Sequence, residues 1–205
     1  MKANHRYSLF ALAIAVVLSS GCSEYTRQGR SPAQLVIVSL LTQRGTGTVP
    51  TSGFAAGPLL SDVPNVTNNE KVFDDFGQAV FGQIMKDPGT LGDAAPTALN
   101  LITVTDYEVK YRLANGRNTP GVDVPFPVRG AMTAMLQPPG SANASATVVF
   151  ELVRHVAKVE APLASLGVNP VVVTMIADVT FYGHDQAGNS VSATGSVQIN
   201  FGNFS

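Results

Sequence analysis

The feature that most restricts the fold is a strict alternation of apolar and polar side chains. In residues 101–113 four apolar positions alternate with four charged ones, and residues 191–201 repeat the pattern with smaller polar residues. The apolar positions are Tyr107, Val109, Tyr111 and Leu113, then Val191, Ala193, Val197, Ile199 and Phe201. Successive side chains of a β-strand point to opposite faces, so a pattern that repeats every two residues puts all the apolar side chains on one face. These segments are therefore predicted to be strands with one buried face.

The whole chain is predicted to contain about seven strands, separated by turns rich in Gly, Pro and Asn. The predicted ranges are 35–41, 78–86, 101–113, 128–136, 146–153, 171–182 and 191–201, with a short edge strand in 58–63. Residues 72–85 also fit a helical stripe, but we prefer a strand there. One short helix is predicted from Glu160 to Leu166, with Pro162 in its first turn. This pattern favours a two-sheet antiparallel β-sandwich.

Composition limits the class of protein further. Charged residues make up 13% of the chain, and the formal net charge is −1. Such a balance provides no basic surface for nucleic acid, so no nucleic-acid partner is expected. The chain contains a single cysteine, Cys22, so no disulfide can form within it and hydrophobic packing must hold the fold together.

The N-terminal segment has the features of a secretion signal. Lys2 and Arg6 precede an apolar run, 9–18, which is shorter than the roughly 20 residues that cross a bilayer. The run ends in LSSGCS, residues 18–23, which resembles the lipobox of bacterial lipoprotein precursors, although Ser19 stands where a lipobox usually has Leu. The resemblance implies cleavage before Cys22 and attachment of lipid to its thiol. The alternative is an ordinary secretion signal that leaves Cys22 as a free thiol.

This interpretation divides the chain into three parts. Residues 1–21 form the signal peptide, 22–33 the lipidated N-terminus and a tether, and 34–205 the sandwich domain. Loss of the signal changes the formal net charge from −1 to −3, because Lys2 and Arg6 leave with it. The expected location is the bacterial cell envelope, with Ser23 after the cysteine favouring the outer membrane.

The C-terminal part resembles a known type of domain. Residues 176–201, especially FYGHDQAGNSVSATGSVQINF, look like the last two strands of bacterial immunoglobulin-like domains, which reverse at a D-x-x-G-N turn. Together with GRNTPGVDVPFP and ELVRHVAK, the chain resembles bacterial lipoproteins of unassigned function over residues 58–204. The resemblance implies an immunoglobulin-like fold, and it brings no catalytic residue with it.

The sequence contains no recognisable catalytic motif. The G-x-S-x-G, HExxH and P-loop patterns are absent, and the segment after the signal has only two histidines, His155 and His184. His155 is interpreted as a strand-end or helix-start residue bonded to backbone. The adjacent acids Asp74 and Asp75 are interpreted as a solvated edge. No catalytic residue and no cofactor is predicted.

The one candidate for a metal site is a calcium site at the turn of residues 185–189. Asp185, Gln186 and Asn189 offer oxygen atoms, and Asp123 and Asp178 are the acids considered as additional ligands. Calcium takes 6 to 8 oxygen ligands, more than this turn provides. The alternative is a turn in which Asp and Asn side chains bond to backbone and Gly188 has a positive φ.

Two long loops, 42–69 and 116–127, are the candidates for partner binding. The second contains Arg117, Asn118, Asp123 and Phe126, which form either a polar contact with an apolar anchor or a brace for the loop. The expected function is therefore a non-enzymatic envelope lipoprotein that presents loops to an envelope protein. The alternatives are a binder of a small ligand, glycan or calcium ion, and an enzyme of unrecognised type.

Overall fold

The computed structural model describes residues 30–65, 71–86, 97–169 and 171–204, and it contains eight strands. They are β1 (Ala33–Gln43), β2 (Leu59–Asp62), β3 (Asp75–Met85), β4 (Ile102–Leu113), β5 (Val128–Leu136), β6 (Ala146–Val153), β7 (Val173–Asp185) and β8 (Ser190–Gly202). The predicted all-β class is confirmed, and so is the short edge strand. Strand β3 begins three residues earlier than predicted, and β7 is shifted by two to three residues.

The strands form two sheets. One has the order β1-β3-β6 and the other β2-β8-β7-β4-β5. All pairs are antiparallel except β2 with β8, so the prediction of a wholly antiparallel sandwich is wrong at this edge. The reason lies in the path of residues 44–58. This segment first turns back, so that Ala55 forms a β-bridge with Thr42, and the chain then crosses to the other sheet. Strand β2 therefore runs in the same direction as β1, an arrangement that a short hairpin does not allow.

The core lies between the sheets and is built from the alternating positions. An aromatic cluster joins them: the Phe81 ring of β3 packs edge-on against Phe181 of β7 at 4.7 Å between centroids. Phe150 of β6 contacts the same ring at 5.3 Å and lies 5.1 Å from Tyr107 of β4. Aromatic side chains bury large apolar areas, so these four rings connect both sheets at their centre.

The predicted helix is misplaced. Helix α1 spans His155–Val159, and a separate 3-10 turn spans Leu163–Gly167. Pro162 lies just before the 3-10 turn rather than inside a single helix. Proline has no N–H and disfavours helical backbone in the residue before it, so it separates the two short elements.

The two ends of the sandwich differ. Strand β1 enters at one end and spans 11 residues, so its far end lies roughly 35 Å away. Most of the long connections lie at this far end, which we call the loop end: 44–58, 63–65, 71–74, 114–127, 154–169 and 171–172. Ser31, which lies within the predicted tether, is buried.

The predictions for residues 1–29, including the signal peptide and Cys22, lie outside the described residues. No helix in the described part of the chain is both long and apolar enough to span a membrane.

Candidate functional site

A buried pair of opposite charges lies at the base of the loop end. The ammonium of Lys158, on α1, is 2.8 Å from a carboxylate oxygen of Asp75, the first residue of β3, and both side chains are inaccessible to solvent (1% and 0% exposed). The interpretation of the Asp74-Asp75 pair as a solvated edge is therefore wrong for Asp75. Asp75 occupies the inward face of β3, because it has the same parity as the buried Ala79 and Phe81.

Two further groups donate hydrogen bonds to the carboxylate of Asp75. The Ser61 hydroxyl donates to Oδ2 at 2.6 Å, and the backbone N–H of Gly45 donates to Oδ1 at 3.0 Å. Glycine is required at 45, since a Cβ there would lie 1.8 Å from the carbonyl oxygen of Asp74. Both carboxylate oxygens are thus satisfied by atoms from three separate segments of the chain. This arrangement meets the condition under which a charged pair is tolerated in an interior.

A neighbouring acid ties the C-terminal segment to the same end. Asp62, the last residue of β2, accepts from the Arg44 guanidinium at 2.5 Å and from the Phe204 backbone N–H at 2.9 Å. Asp62 is only 4% exposed, whereas the Arg44 side chain is 45% exposed. The segment after β1, the edge strand and the C-terminal residues are therefore held together at this end.

Two clefts at the loop end share Val72 and Phe73 in their linings. One, of about 340 Å³, is lined by Arg44, Gly45, Thr46, Asp62, Lys71, Val72, Phe73 and Lys158. The other, of about 350 Å³, is lined by Gly47, Thr48, Val49, Val72, Phe73, Asp74, Phe76, Glu151 and His155. Both are open to solvent. Neither lining includes a Ser or Cys that would serve as a nucleophile, among the residues the structure describes.

The second cleft contains a histidine paired with an acid. Asp74 Oδ1 accepts from the backbone N–H of His155 at 2.6 Å and lies 2.8 Å from its Nδ1. Burial alone would raise the pKa of Asp74, but the hydrogen bonds and charge of His155, with a smaller contribution from Lys158, hold it below its ordinary value. His155 was predicted to lie at a strand end or a helix start, and it is the first residue of α1. Its partner is a carboxylate rather than backbone, and Asp74 thereby caps the first turn of α1.

The predicted binding loop is braced internally. The Arg117 guanidinium is paired with the Asp123 carboxylate, which also accepts from the Thr119 backbone N–H at 3.2 Å. Asn118 is exposed. Phe126 is also exposed (60%), beside a groove of about 190 Å³ formed with neighbouring prolines and α1. The charged members of this loop thus form the brace, and its apolar member is left available for contact.

The calcium candidate lies at the opposite end of the sandwich. Asp185 and Asn189 are adjacent there, and Asp185 accepts from the backbone N–H groups of Ala187 and Asn189 at 3.0 and 2.8 Å. Gly188 has φ +79°, so the predicted capped turn is confirmed. The other two acids considered are elsewhere: Asp123 is in the loop described above, and Asp178 is bonded to Arg112 and Ser196. In the described ranges no three potential metal-binding acids, histidines or cysteines come together.

Exposed apolar side chains concentrate at the loop end. Of the fourteen large hydrophobic residues that are exposed in the described part of the chain, nine lie in its connections: Val49, Phe73, Val122, Phe126, Val156, Val159, Val168, Val171 and Val172. Helix α1 is inverted relative to an ordinary surface helix, because its lysine points inward and its two valines point to solvent. Clustered exposed apolar surface marks interaction sites on folded proteins.

No protein-family description matches the chain, and no curated protein is significantly similar.

Proposed function

We propose that this protein is a cell-envelope lipoprotein whose sandwich presents its loop end to a protein partner, without catalysing a reaction. The supporting observation is the concentration of exposed valines and Phe126 at that end, opposite the end where the N-terminal strand enters. If Cys22 is lipidated, the sandwich stands between the membrane and the apolar loops. A display module requires this geometry.

We further propose that the sandwich is immunoglobulin-like. In the usual lettering of that fold, β1, β3 and β6 correspond to strands A, B and E, and β8, β7, β4 and β5 to G, F, C and C′. Strand β2 is then an additional edge segment that pairs in parallel with G. This assignment gives the D-x-x-G-N turn of the sequence the position between F and G.

The membrane part of the proposal rests on residues 18–23 and has its own test. Cells expressing the full chain are fed a labelled fatty acid, and Cys22→Ser is the matched control. Label is expected on the wild-type protein alone. Equal labelling of the variant, or none on either protein, would leave the domain without its proposed anchor.

The contact surface is tested by photocrosslinking in living cells. A photoreactive phenylalanine analogue replaces Val122 or Val159 at the loop end, and Leu99 or Met135 at the opposite end. All four side chains are exposed, between 51% and 69%. Discrete adducts of one protein are expected from the loop-end positions only. The same adducts from both ends, or none from the loop end, would contradict the proposal.

A further inference from the structure

The contact between Lys158 and Asp75 places an amine and a carboxyl group close together in a site without access to solvent. Nζ is 2.8 Å from Oδ2, and the two side chains are 1% and 0% exposed. Taking two charges out of water is unfavourable for each ion, and their attraction offsets this only with good geometry. We propose that these two side chains condense to an intramolecular amide, a covalent crosslink between β3 and α1.

Amide formation starts from the neutral amine and the neutral carboxylic acid. The ion pair and the neutral pair of amine and carboxylic acid differ only by a proton moved across the 2.8 Å contact. In the neutral pair the amine has a free electron pair that can add to the carboxyl carbon. Exclusion of water also opposes hydrolysis of the product.

The hydrogen bonds on Asp75 are placed for the reaction. The Nζ electron pair of Lys158 adds to Cγ, and negative charge develops on Oδ1, to which the Gly45 N–H donates at 3.0 Å. The Nζ–Cγ bond forms and the Cγ–Oδ2 bond breaks. Oδ2 leaves as water with the proton received first and a second one from Nζ, while the Ser61 hydroxyl donates to it at 2.6 Å. The products are one amide and one water molecule.

The crosslink accounts for the inverted helix. Helix α1 has five residues, too few for stability of its own, and it exposes Val156 and Val159 while burying Lys158. A covalent bond to β3 would hold the connection between β6 and β7 in place without apolar packing of its outer face. Those valines then remain available on a fixed surface.

Tryptic digestion of the denatured full-length chain tests the proposal. Cleavage after Lys71 and Lys86 releases 72–86, which contains Asp75, and cleavage after Arg154 and Lys158 releases 155–158 and 159–205. An amide on Lys158 blocks the last cut. The expected product is therefore 155–205 joined to 72–86, lighter than the two peptides together by one water. Fragmentation should locate the bond at Asp75.

Three variants make the result decisive. Lys158→Arg keeps the charge but forms no amide, and Asp75→Ala removes the carboxyl group, so neither should give the joined peptide. Asp74→Ala, at the neighbouring acid, should still give it. Free 155–158 and 159–205 as the sole wild-type products would overturn the proposal, as would a joined peptide from Lys158→Arg. Since the wild-type digest by itself reports whether the bond is present, the test holds even where a variant folds poorly.

Discussion

Asp185 shows what a single side chain contributes when most of its partners are nearby in sequence. Burial alone would raise its pKa, but hydrogen bonds from Asn189, Ser31 and Ala187 hold the pKa below its ordinary value of 3.8. Because its pKa is lower in the folded state, the ionised Asp185 stabilises the protein at pH values above the ordinary pKa of the carboxyl group. This stabilisation is lost as pH falls through the folded-state value.

Asp185→Asn keeps the shape of the turn and removes the titrating charge. We expect it to lower the free energy of unfolding by about 1 kcal/mol at neutral pH, because hydrogen bonds to a charged acceptor are the stronger ones. The difference from wild type should shrink below the ordinary pKa of the carboxyl and vanish when Asp185 is protonated in the folded state. Urea unfolding of both proteins across this acidic range measures it. A difference in the free energy of unfolding that does not change with pH would contradict the conclusion that the charge of Asp185 stabilises the turn.

Lys158 and Asp75 show the opposite case, in which the partner is remote in sequence. Lys158→Met leaves a buried carboxylate without its cation and also without any amide, and we expect a loss of at least about 3–5 kcal/mol in the free energy of unfolding. The double variant Lys158→Met, Asp75→Asn removes both charges and should recover part of the loss. Equilibrium denaturation of the three proteins provides the comparison, and a double variant less stable than Lys158→Met would contradict it.

Most strands were predictable because they show their buried face within their own sequence, whereas the segment of β3 also fitted a helical stripe. For β4, β5 and β6 the predicted ranges agree with the structure within a residue, since alternation requires no knowledge of other elements. Asp75 was missed because the pattern was not extended back from Ala79 and Phe81 to a charged residue. Its partner Lys158 could not be predicted, because nothing local to α1 indicates that a lysine turns inward.

A bulge in β4 requires a glycine at one position of the neighbouring strand β7. Pairing shifts between Val104 and Asp106, and Gly183 of β7 lies against this shift. A Cβ at Gly183 would be 2.3 Å from the Thr103 carbonyl oxygen and 2.9 Å from the Cα of Val104, both backbone atoms that cannot swing aside. The bulge and the glycine therefore form one feature, of the kind found where strands bend.

Gly183→Ala should accordingly destabilise the sandwich by about 2–3 kcal/mol, since overpacking against backbone forces the strands apart. Gly82→Ala in β3 is the matched strand control, because its Cβ would meet only the Val38 side chain, at 3.1 Å. Thermal and urea unfolding of both variants test this. Equal losses of stability in the two variants would mean that the destabilisation comes from replacing any strand glycine and not from the contact at the bulge.

At the scale of the molecule, the packed core and the exposed apolar residues lie at different positions along the length of the sandwich. The centre holds the aromatic cluster, the end where β1 enters holds the Asp185 turn, and the loop end holds buried charges beneath exposed apolar residues. Those exposed valines contribute little burial to the fold. Their concentration at one end fits the proposal that this end contacts another molecule.

The double variant Val156→Ser, Val159→Ser tests this separation. Both side chains are about half exposed, at 43% and 51%, so we expect the free energy of unfolding to change by no more than about 0.5 kcal/mol. Adducts formed by the photoreactive residue at Val122 should nevertheless be strongly reduced, because two apolar contacts of the same surface are gone. Leu99→Ser, at the opposite end and 69% exposed, is the control that should leave both measurements unchanged. A large loss of stability would show that the valines belong to the core, and unchanged adducts in a stable protein would place the contact elsewhere.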